Sequence, residues 1–217
     1  MNRDNDQIRA LRLSYERGEL NRKDIADDPF DLFQLWFDEA VDAEVLEANA
    51  VQLASVNQAG QPTLRTVLIK EIQPEGYVFY TNFESRKGQE LTQNPKASFL
   101  IFWKELERQI RVEGVVEKIS AEHSTEYYHS RPKGSQIGAW ASPQSKIIDD
   151  RQILDNAVEK LTAKHIDDDR LPKPPHWGGY ILKPNYFEFW QGRKNRLHDR
   201  FEYREEGGNW QINRLAP

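Results

Sequence analysis

Before residue 50 the apolar positions recur at helical spacing; after it they alternate or run in short β-branched and aromatic stretches. Ile8, Leu11 and Tyr15 mark a short amphipathic helix in an otherwise polar first 20 residues. A terminal segment of this kind is expected to act as a mobile lid or to fray. Asp28-Pro29 has the form of an N-cap followed by proline in the first turn. Phe30, Phe33, Phe37 and Val41 form an apolar stripe behind it, and the spacing predicts a helix over 29–48. Strands are predicted at Val51–Val56 and Thr63–Glu71, around the turn-rich NQAGQP, then at Tyr77–Thr81, Ala97–Trp103 and Gln109–Ile119. A short helix fits Gly88–Gln93. A longer one, capped by Ser120, runs to about Ser130, where Arg131-Pro132 should end it. Another helix is predicted over 150–164, followed by the charged, proline-rich loop HIDDDRLPKPP. Strands resume at Gly179–Leu182 and Tyr186–Trp190. Leu197–Arg204 and Asn209–Asn213 form a hairpin about Gly207-Gly208. Strands this close, without helices between them, pair antiparallel. The pattern predicts one β-rich α+β domain over 21–217, with its hairpin at 197–213, behind a lid segment over 1–20.

Composition removes several chemistries. The chain has 217 residues, 38% hydrophobic and 30% charged, with no cysteine. Disulfides, cysteine-ligated metals and thiol catalysis are therefore excluded. The 11% aromatic content supplies bulky core material. The five histidines are scattered and form no HExxH, so no metal site is expected. Neither standard nucleotide loop occurs, and GSQIG at 134–138 is not a nucleophile elbow. The net charge of −5 argues against a nucleic-acid module. No apolar run approaches the ~18 residues needed to span a bilayer. The N-terminus lacks a signal-peptide core, so a soluble cytoplasmic protein is expected.

What remains is a set of cationic clusters on an acidic chain. Arg65 and Lys70 bracket one strand; Arg86-Lys87 follow another; Arg131 and Lys133 flank a proline; Arg193, Lys194, Arg196 and Arg200 crowd near the C-terminus. Taken singly, each reads as solvated surface. Together, at the ends of strands and helices, they favour phosphate binding, where Arg offers paired donors and Lys a point charge. Arg65 and Lys70 are an odd number apart, so a regular strand points them to opposite faces. They would serve two different anionic groups unless a bulge intervenes. Tyr127, Arg131 and Ser135 recur at intervals of four. They would form a compact phosphate cradle if the helix persisted; otherwise they are a packed Tyr and a solvated Arg. In RLHDR at 196–200, strand geometry would put Arg196, His198 and Arg200 on one face, suited to an anionic, electron-accepting or enol-like ligand. Pairing of these arginines with Asp199 and neighbouring Glu residues is the plainer alternative.

Longer blocks resemble a known family. RTVLIK at 65–70, FYTNFESRKGQEL at 79–91, NPKASFLIFW at 94–103 and ERQIRVEG at 107–114 occur in order. YYHSRPKGSQIGAWASPQS at 127–145, FWQGRKNRLHDRF at 189–201 and the terminal INRLAP follow. From about Arg12 to Pro217 the chain is similar to pyridoxine (pyridoxamine) 5′-phosphate oxidases. The resemblance implies an FMN-binding split β-barrel, antiparallel and Greek-key-like with surrounding helices, and a homodimer with FMN at its interface. It implies oxidation of pyridoxine 5′-phosphate or pyridoxamine 5′-phosphate to pyridoxal 5′-phosphate. Dioxygen is then the final acceptor, giving hydrogen peroxide, with ammonia from the amine. By resemblance, FMN falls to Arg65, Thr66, Val67, Leu68, Ile69, Lys70, Tyr80, Thr81, Arg86, Lys87, Gln109, Gln144, Ser145, Trp190 and Arg200. The substrate phosphate falls to Lys70, Tyr127, Arg131 and Ser135. Arg196 and His198 fall at the reacting end of the substrate ring, with Leu197 between them. Arg12 and Tyr15 match a lid motif, although Leu13 and Ser14 fill its middle where relatives often carry charge. A flavin reductase on the same scaffold, or a carrier of pyridoxal 5′-phosphate, stands beside this reading.

Overall fold

The structure is a computed structural model describing residues 5–11 and 13–217. Helix α1 (Asn5–Arg9) is shorter than the spacing predicts, and the chain from Leu13 to Leu20 is mostly irregular. Helix α2 (Pro29–Asp42) starts as expected, with the Asp28 carboxylate accepting the Phe30 N–H at 2.8 Å. It ends six residues short of position 48, because Glu44 and Glu47 take left-handed backbone angles that no α-helix holds. Strands β1 (Ala50–Val56), β2 (Pro62–Gln73) and β3 (Gly76–Asn82) form a meander. Helix α3 (Arg86–Gln93), capped by Ser85, leads to β4 (Lys96–Trp103) and β5 (Arg108–Lys118). Helices α4 (Ala121–Ser130), α5 (Lys133–Ala141) and α6 (Gln152–Lys164) come next. Strand β6 (Trp177–Gln191) and the hairpin β7 (Asp199–Glu206) and β8 (Asn209–Leu215) complete the chain.

The strands pair in the order β3-β2-β1-β4-β5-β6-β7-β8, and β3 also pairs with β6. That second pairing closes six strands into a barrel and removes two open edges. Strand β4 returns beside β1, which gives the Greek-key order 4-1-2-3. Where two strands were predicted near residues 179–190 there is one. Its first half pairs with β3 and its second with β7, and Pro184 falls between the two ladders. Helix α5 is an element the sequence pattern does not announce, since two glycines lower its propensity.

By contacts the chain divides into two compact units. One comprises the N-terminal part through Ala48 with Leu100–Val112 and Asn185–Pro217. Its core holds Leu32, Phe33 and Trp36 of α2, with Trp36 edge-on to Phe189 at 5.3 Å. The irregular N-terminal segment is tied down within this unit. The Glu107 carboxylate accepts the N–H groups of Glu16 and Arg17 at 2.7 and 3.0 Å, and Asp199 accepts that of Leu20 at 3.1 Å. The other unit comprises Asn49–Phe99 and Glu113–Pro184. Phe79 packs there against Phe99 and Tyr180, with Val51 and Leu53 fully buried.

In this second unit β5 approaches β6 so closely that a Cβ on Gly114 would lie 2.0 Å from the Lys183 carbonyl oxygen. Backbone cannot retreat from that clash without breaking the ladder. Gly114→Ala should therefore lower stability by about 2 kcal/mol or more, read from urea unfolding. An unchanged midpoint would show that the two strands are free to separate.

Candidate active site

Strand β2 carries cations toward two cavities. Its pairing with β3 shifts register between Ile69↔Phe79 and Glu71↔Val78, which leaves Lys70 as the extra residue of a β-bulge. Arg65 lies before the bulge and opens onto one cavity; Lys70 opens onto another. The ordinary alternation of the strand thus separates them, and the bulge does not reunite them.

The Lys70 cavity has a volume of about 440 Å³ and is lined also by Thr66, Val67, Leu68, Tyr80, Thr81, Lys87, Tyr127, Arg131, Ser135, Gln144 and Trp177. Tyr127 comes from α4, Arg131 from its C-cap and Ser135 from α5, so the turn at Pro132 does not disperse them. Tyr80 stacks on Tyr127 at 3.8 Å between centroids, and Trp177 lies parallel to Tyr80 at 5.4 Å. The Arg131 guanidinium sits 4.7 Å over Trp177, and its buried Nη1 has no hydrogen-bond partner among the described residues. Burial draws the Arg131 pKa below its ordinary value. A buried guanidinium nitrogen without an acceptor is costly, and an anion in this cavity would relieve that cost.

Two residues that sequence reasoning did not single out brace this wall. The Tyr80 hydroxyl donates to Glu71 at 2.6 Å, and His123 Nε2 lies 2.8 Å from the same carboxylate. Burial, reinforced by Glu71, raises the Tyr80 pKa far above its usual value and keeps the phenol protonated. The bulge is what turns Glu71 toward Tyr80, and no spacing in the sequence announces it.

The Arg65 cavity, about 380 Å³, is lined by Thr63, Leu64, Arg65, Thr66, Arg86, Lys87, Gln144 and Ser145. Beneath it lies Glu90, a buried carboxylate also missed in the sequence, although its spacing of four from Arg86 was a visible signal. Arg65 Nη2 meets Glu90 at 3.1 Å and Arg86 Nε meets it at 2.9 Å. Burial alone would raise the Glu90 pKa. Hydrogen bonds from Ser55, Thr63 and Arg86, with the charge of Arg65, outweigh that and hold it at about 2. Lys87 belongs to both cavities. Its Nζ donates to Thr81 Oγ1 at 2.8 Å and Gln144 Oε1 at 3.2 Å, while burial and the charge of Arg65 lower its pKa to about 8.

The remaining expected residues are placed differently. Ile69 is buried in the core, its N–H donating to the Asn49 carbonyl and its carbonyl accepting from Asn49 Nδ2. Gln109, Trp190, Arg196, Leu197, His198 and Arg200 belong to the other unit. RLHDR is not a strand throughout. Asn195 and Arg196 take left-handed angles in a 3₁₀ turn, and β7 begins only at Asp199. The expected common face of Arg196, His198 and Arg200 is therefore lost. Arg196 and His198 still meet, lining a cavity of about 750 Å³ with Tyr15, Arg193 and Asn195. Arg200 instead grips Glu188 through Nε and Nη2, both at 3.0 Å, and donates to the Ala216 carbonyl at 2.7 Å. Leu197 is 69% exposed. Arg12 lies outside the described residues. His198 packs on Trp190 at 4.5 Å, and its Nδ1 accepts the Arg193 N–H at 3.1 Å. Burial and Arg196 lower its pKa, so it stands as a neutral imidazole with its proton on Nε2.

Residues 37–165 match the family described as pyridoxamine 5′-phosphate oxidase. Residues 177–217 match the pyridoxine 5′-phosphate oxidase C-terminal dimerisation region. A pyridoxine/pyridoxamine 5′-phosphate oxidase of Salinibacter ruber is 52% identical over 213 residues, 97% of this chain and 99% of that one. Among solved structures, PhzG from Burkholderia lata, in complex with tetrahydrophenazine-1-carboxylic acid, superposes with a TM-score of 0.85 at 32% identity. That match covers 90% of this chain and 95% of the other. A pyridoxamine 5′-phosphate oxidase-related FMN-binding protein of Nostoc punctiforme gives a TM-score of 0.70 at 16% identity, covering 89% and 100%, and so shares the fold. With two family regions and half its residues identical along nearly its whole length, the chain belongs to the pyridoxine/pyridoxamine 5′-phosphate oxidase family of oxidoreductases.

Proposed function

We propose that this chain oxidises pyridoxine 5′-phosphate and pyridoxamine 5′-phosphate to pyridoxal 5′-phosphate, using FMN and dioxygen. The alcohol and O₂ give the aldehyde and H₂O₂; the amine, water and O₂ give the aldehyde, NH₃ and H₂O₂. The observation that carries this reading is the pair of cationic cavities flanking one strand, one of them holding the unpartnered Arg131 Nη1. Two phosphorylated molecules need two such cradles.

The Arg65 cavity suits the FMN phosphate. Arg65 and Arg86 offer charged donors, Lys87 a cation and Ser145 a hydroxyl, and Glu90 beneath fixes both guanidiniums. When bound, FMN supplies the two-electron acceptor that no side chain here provides. The Lys70 cavity suits the substrate phosphate, with Lys70, Tyr127, Arg131 and Ser135 as its donors. Anchoring the substrate there fixes the reacting carbon and removes part of the entropic barrier. Arg196 and His198 are assigned to the substrate ring. The guanidinium stabilises negative charge on the ring oxygen, and His198 Nε2–H donates a hydrogen bond to it. Gln109, Trp190 and Arg200 are assigned a part in the cofactor site of a cytoplasmic homodimer with FMN at its interface. For Arg200 that part is indirect, through Glu188.

The similarity to PhzG raises a second reading, a tricyclic carboxylic acid as substrate. Such a ligand lacks a phosphate and leaves the four-residue cradle without its full complement.

Incubating the FMN-loaded protein with each candidate in air tests the two together. Pyridoxal 5′-phosphate should form in step with O₂ consumption and H₂O₂ release. Turnover of tetrahydrophenazine-1-carboxylic acid, with none of the B6 phosphates, would overturn the proposal. A second prediction follows from Lys87, whose pKa of about 8 applies to the ligand-free protein. A phosphate dianion favours the protonated amine and so raises that pKa. FMN affinity should be full below pH 8 and fall as pH rises through it, approaching tenfold per unit. Lys87→Arg should flatten the profile up to pH 9 in a fluorescence-quenching titration. A profile that is already flat with Lys87 in place would remove this lysine from the FMN site.

A further inference from the structure

The walls of the phosphate cavity are held by a buried amide that does not itself line it. Gln136, on α5, is only 3% exposed. Its Nε2 donates to the Arg131 carbonyl at 2.9 Å, and its Oε1 accepts the Leu171 N–H at 3.1 Å. Its own carbonyl accepts the Tyr128 hydroxyl at 2.9 Å. One residue therefore joins the last turn of α4, the start of α5 and the loop after α6.

That loop is the charged, proline-rich stretch for which the reaction has no use. It is fastened to the same helices at several points. The fully buried Leu171 has its carbonyl 3.0 Å from His129 Nε2. Lys133 Nζ donates to the Ile166 carbonyl at 3.0 Å, and Trp140 Nε1 to that of Pro172 at 2.8 Å. The prolines make this segment a stiff abutment, because their φ angles are fixed in advance.

Arg131 stands between two helices in extended geometry, with φ −77° and ψ 147°. Its N–H still closes the last turn of α4 onto the Tyr128 carbonyl at 3.3 Å, while its own carbonyl has left the helix. Its carbonyl is held by Gln136, and Ser135 precedes Gln136 on the same turn. One side chain thus ties the backbone beside both phosphate donors to the loop after α6.

We propose that Gln136 is a positioning residue for the substrate phosphate, acting through Arg131 and Ser135. The assignment rests on the oxidase reading above, and it concerns affinity for a phosphate monoester, not the redox step. Gln136→Met keeps the volume and removes the amide, leaving the Arg131 carbonyl and Leu171 N–H without partners. In the FMN-loaded protein, KM for pyridoxine 5′-phosphate and the Kd for pyridoxal 5′-phosphate should each rise about tenfold, or about 1.4 kcal/mol. The kcat should stay within twofold, and kcat/KM for unphosphorylated pyridoxine should not change. Gln136→Glu keeps the acceptor for Leu171 but turns a carboxylate toward the Arg131 carbonyl, so it should behave like the Met variant. Tyr128→Phe removes the hydroxyl that bonds the Gln136 carbonyl, together with its contact to Trp140, and tests the same chain if the buried variants fail to fold; a two- to threefold rise in KM is expected. Equal losses on the phosphorylated and unphosphorylated substrates, or a lowered Tm with KM and Kd unchanged, would reduce Gln136 to a purely structural bond. A parent protein that binds pyridoxal 5′-phosphate yet never oxidises its precursors would defeat the oxidase reading, while the Kd comparison would still decide the role of Gln136.

Discussion

A β-strand presents successive residues to opposite faces, and β2 bears a cation at each parity. Arg65 faces one way, onto Glu90 and one cavity; Lys70 faces the other, onto Tyr127, Arg131 and Ser135. This alternation is the constraint that the rest of the site answers to. It places two anion cradles a few residues apart along one element, adjoining where Thr66, Lys87 and Gln144 line both. The bulge at Lys70 adds a second service by bringing Glu71 round to brace Tyr80, and through it the stack with Tyr127 and Trp177.

The two cradles handle their buried charge differently. Arg65 is balanced within the protein, because Glu90 accepts from it and stays ionised well below neutral pH. Removing one partner of such a buried pair would leave the other uncompensated, so the pair is best read as a rigid platform. Among the described residues Arg131 has no carboxylate partner, and it leans on the face of Trp177, a weaker and less directional support. An arginine held by an aromatic ring, with one nitrogen unpartnered, is poised for a ligand that comes and goes. A cofactor that stays bound suits the balanced site, and a substrate that turns over suits the other.

Much of this was legible in the sequence. The strands of the barrel follow from β-branched and aromatic runs, and the odd spacing of Arg65 and Lys70 pointed to two faces unless a bulge intervened. Tyr127, Arg131 and Ser135 do converge, although a turn at Pro132 separates two helices where one was expected to end. What escaped has identifiable causes. Glu71, His123 and Gln136 act through partners distant in the chain or through a bulge, and neither leaves a local mark. Helix α5 hides behind its glycines. The strand expected through RLHDR fails because Asn195 and Arg196 adopt left-handed angles without a glycine to announce them. Arg200 turns to Glu188, a pairing visible only once β6 and β7 lie side by side.

The central claim is that one strand serves two phosphates independently, and paired binding constants test it most directly. Arg65→Lys keeps the charge above Glu90 but loses the planar fork, and Lys70→Ala removes an exposed amine. Dissociation constants for FMN, and for pyridoxal 5′-phosphate on the FMN-loaded protein, are measured in both variants. The account predicts a crossed pattern. Arg65→Lys should weaken FMN about tenfold and leave pyridoxal 5′-phosphate unmoved, and Lys70→Ala should do the reverse. Parallel losses of both ligands in both variants would mean that the two cations share one site, and the division of labour along β2 would be wrong.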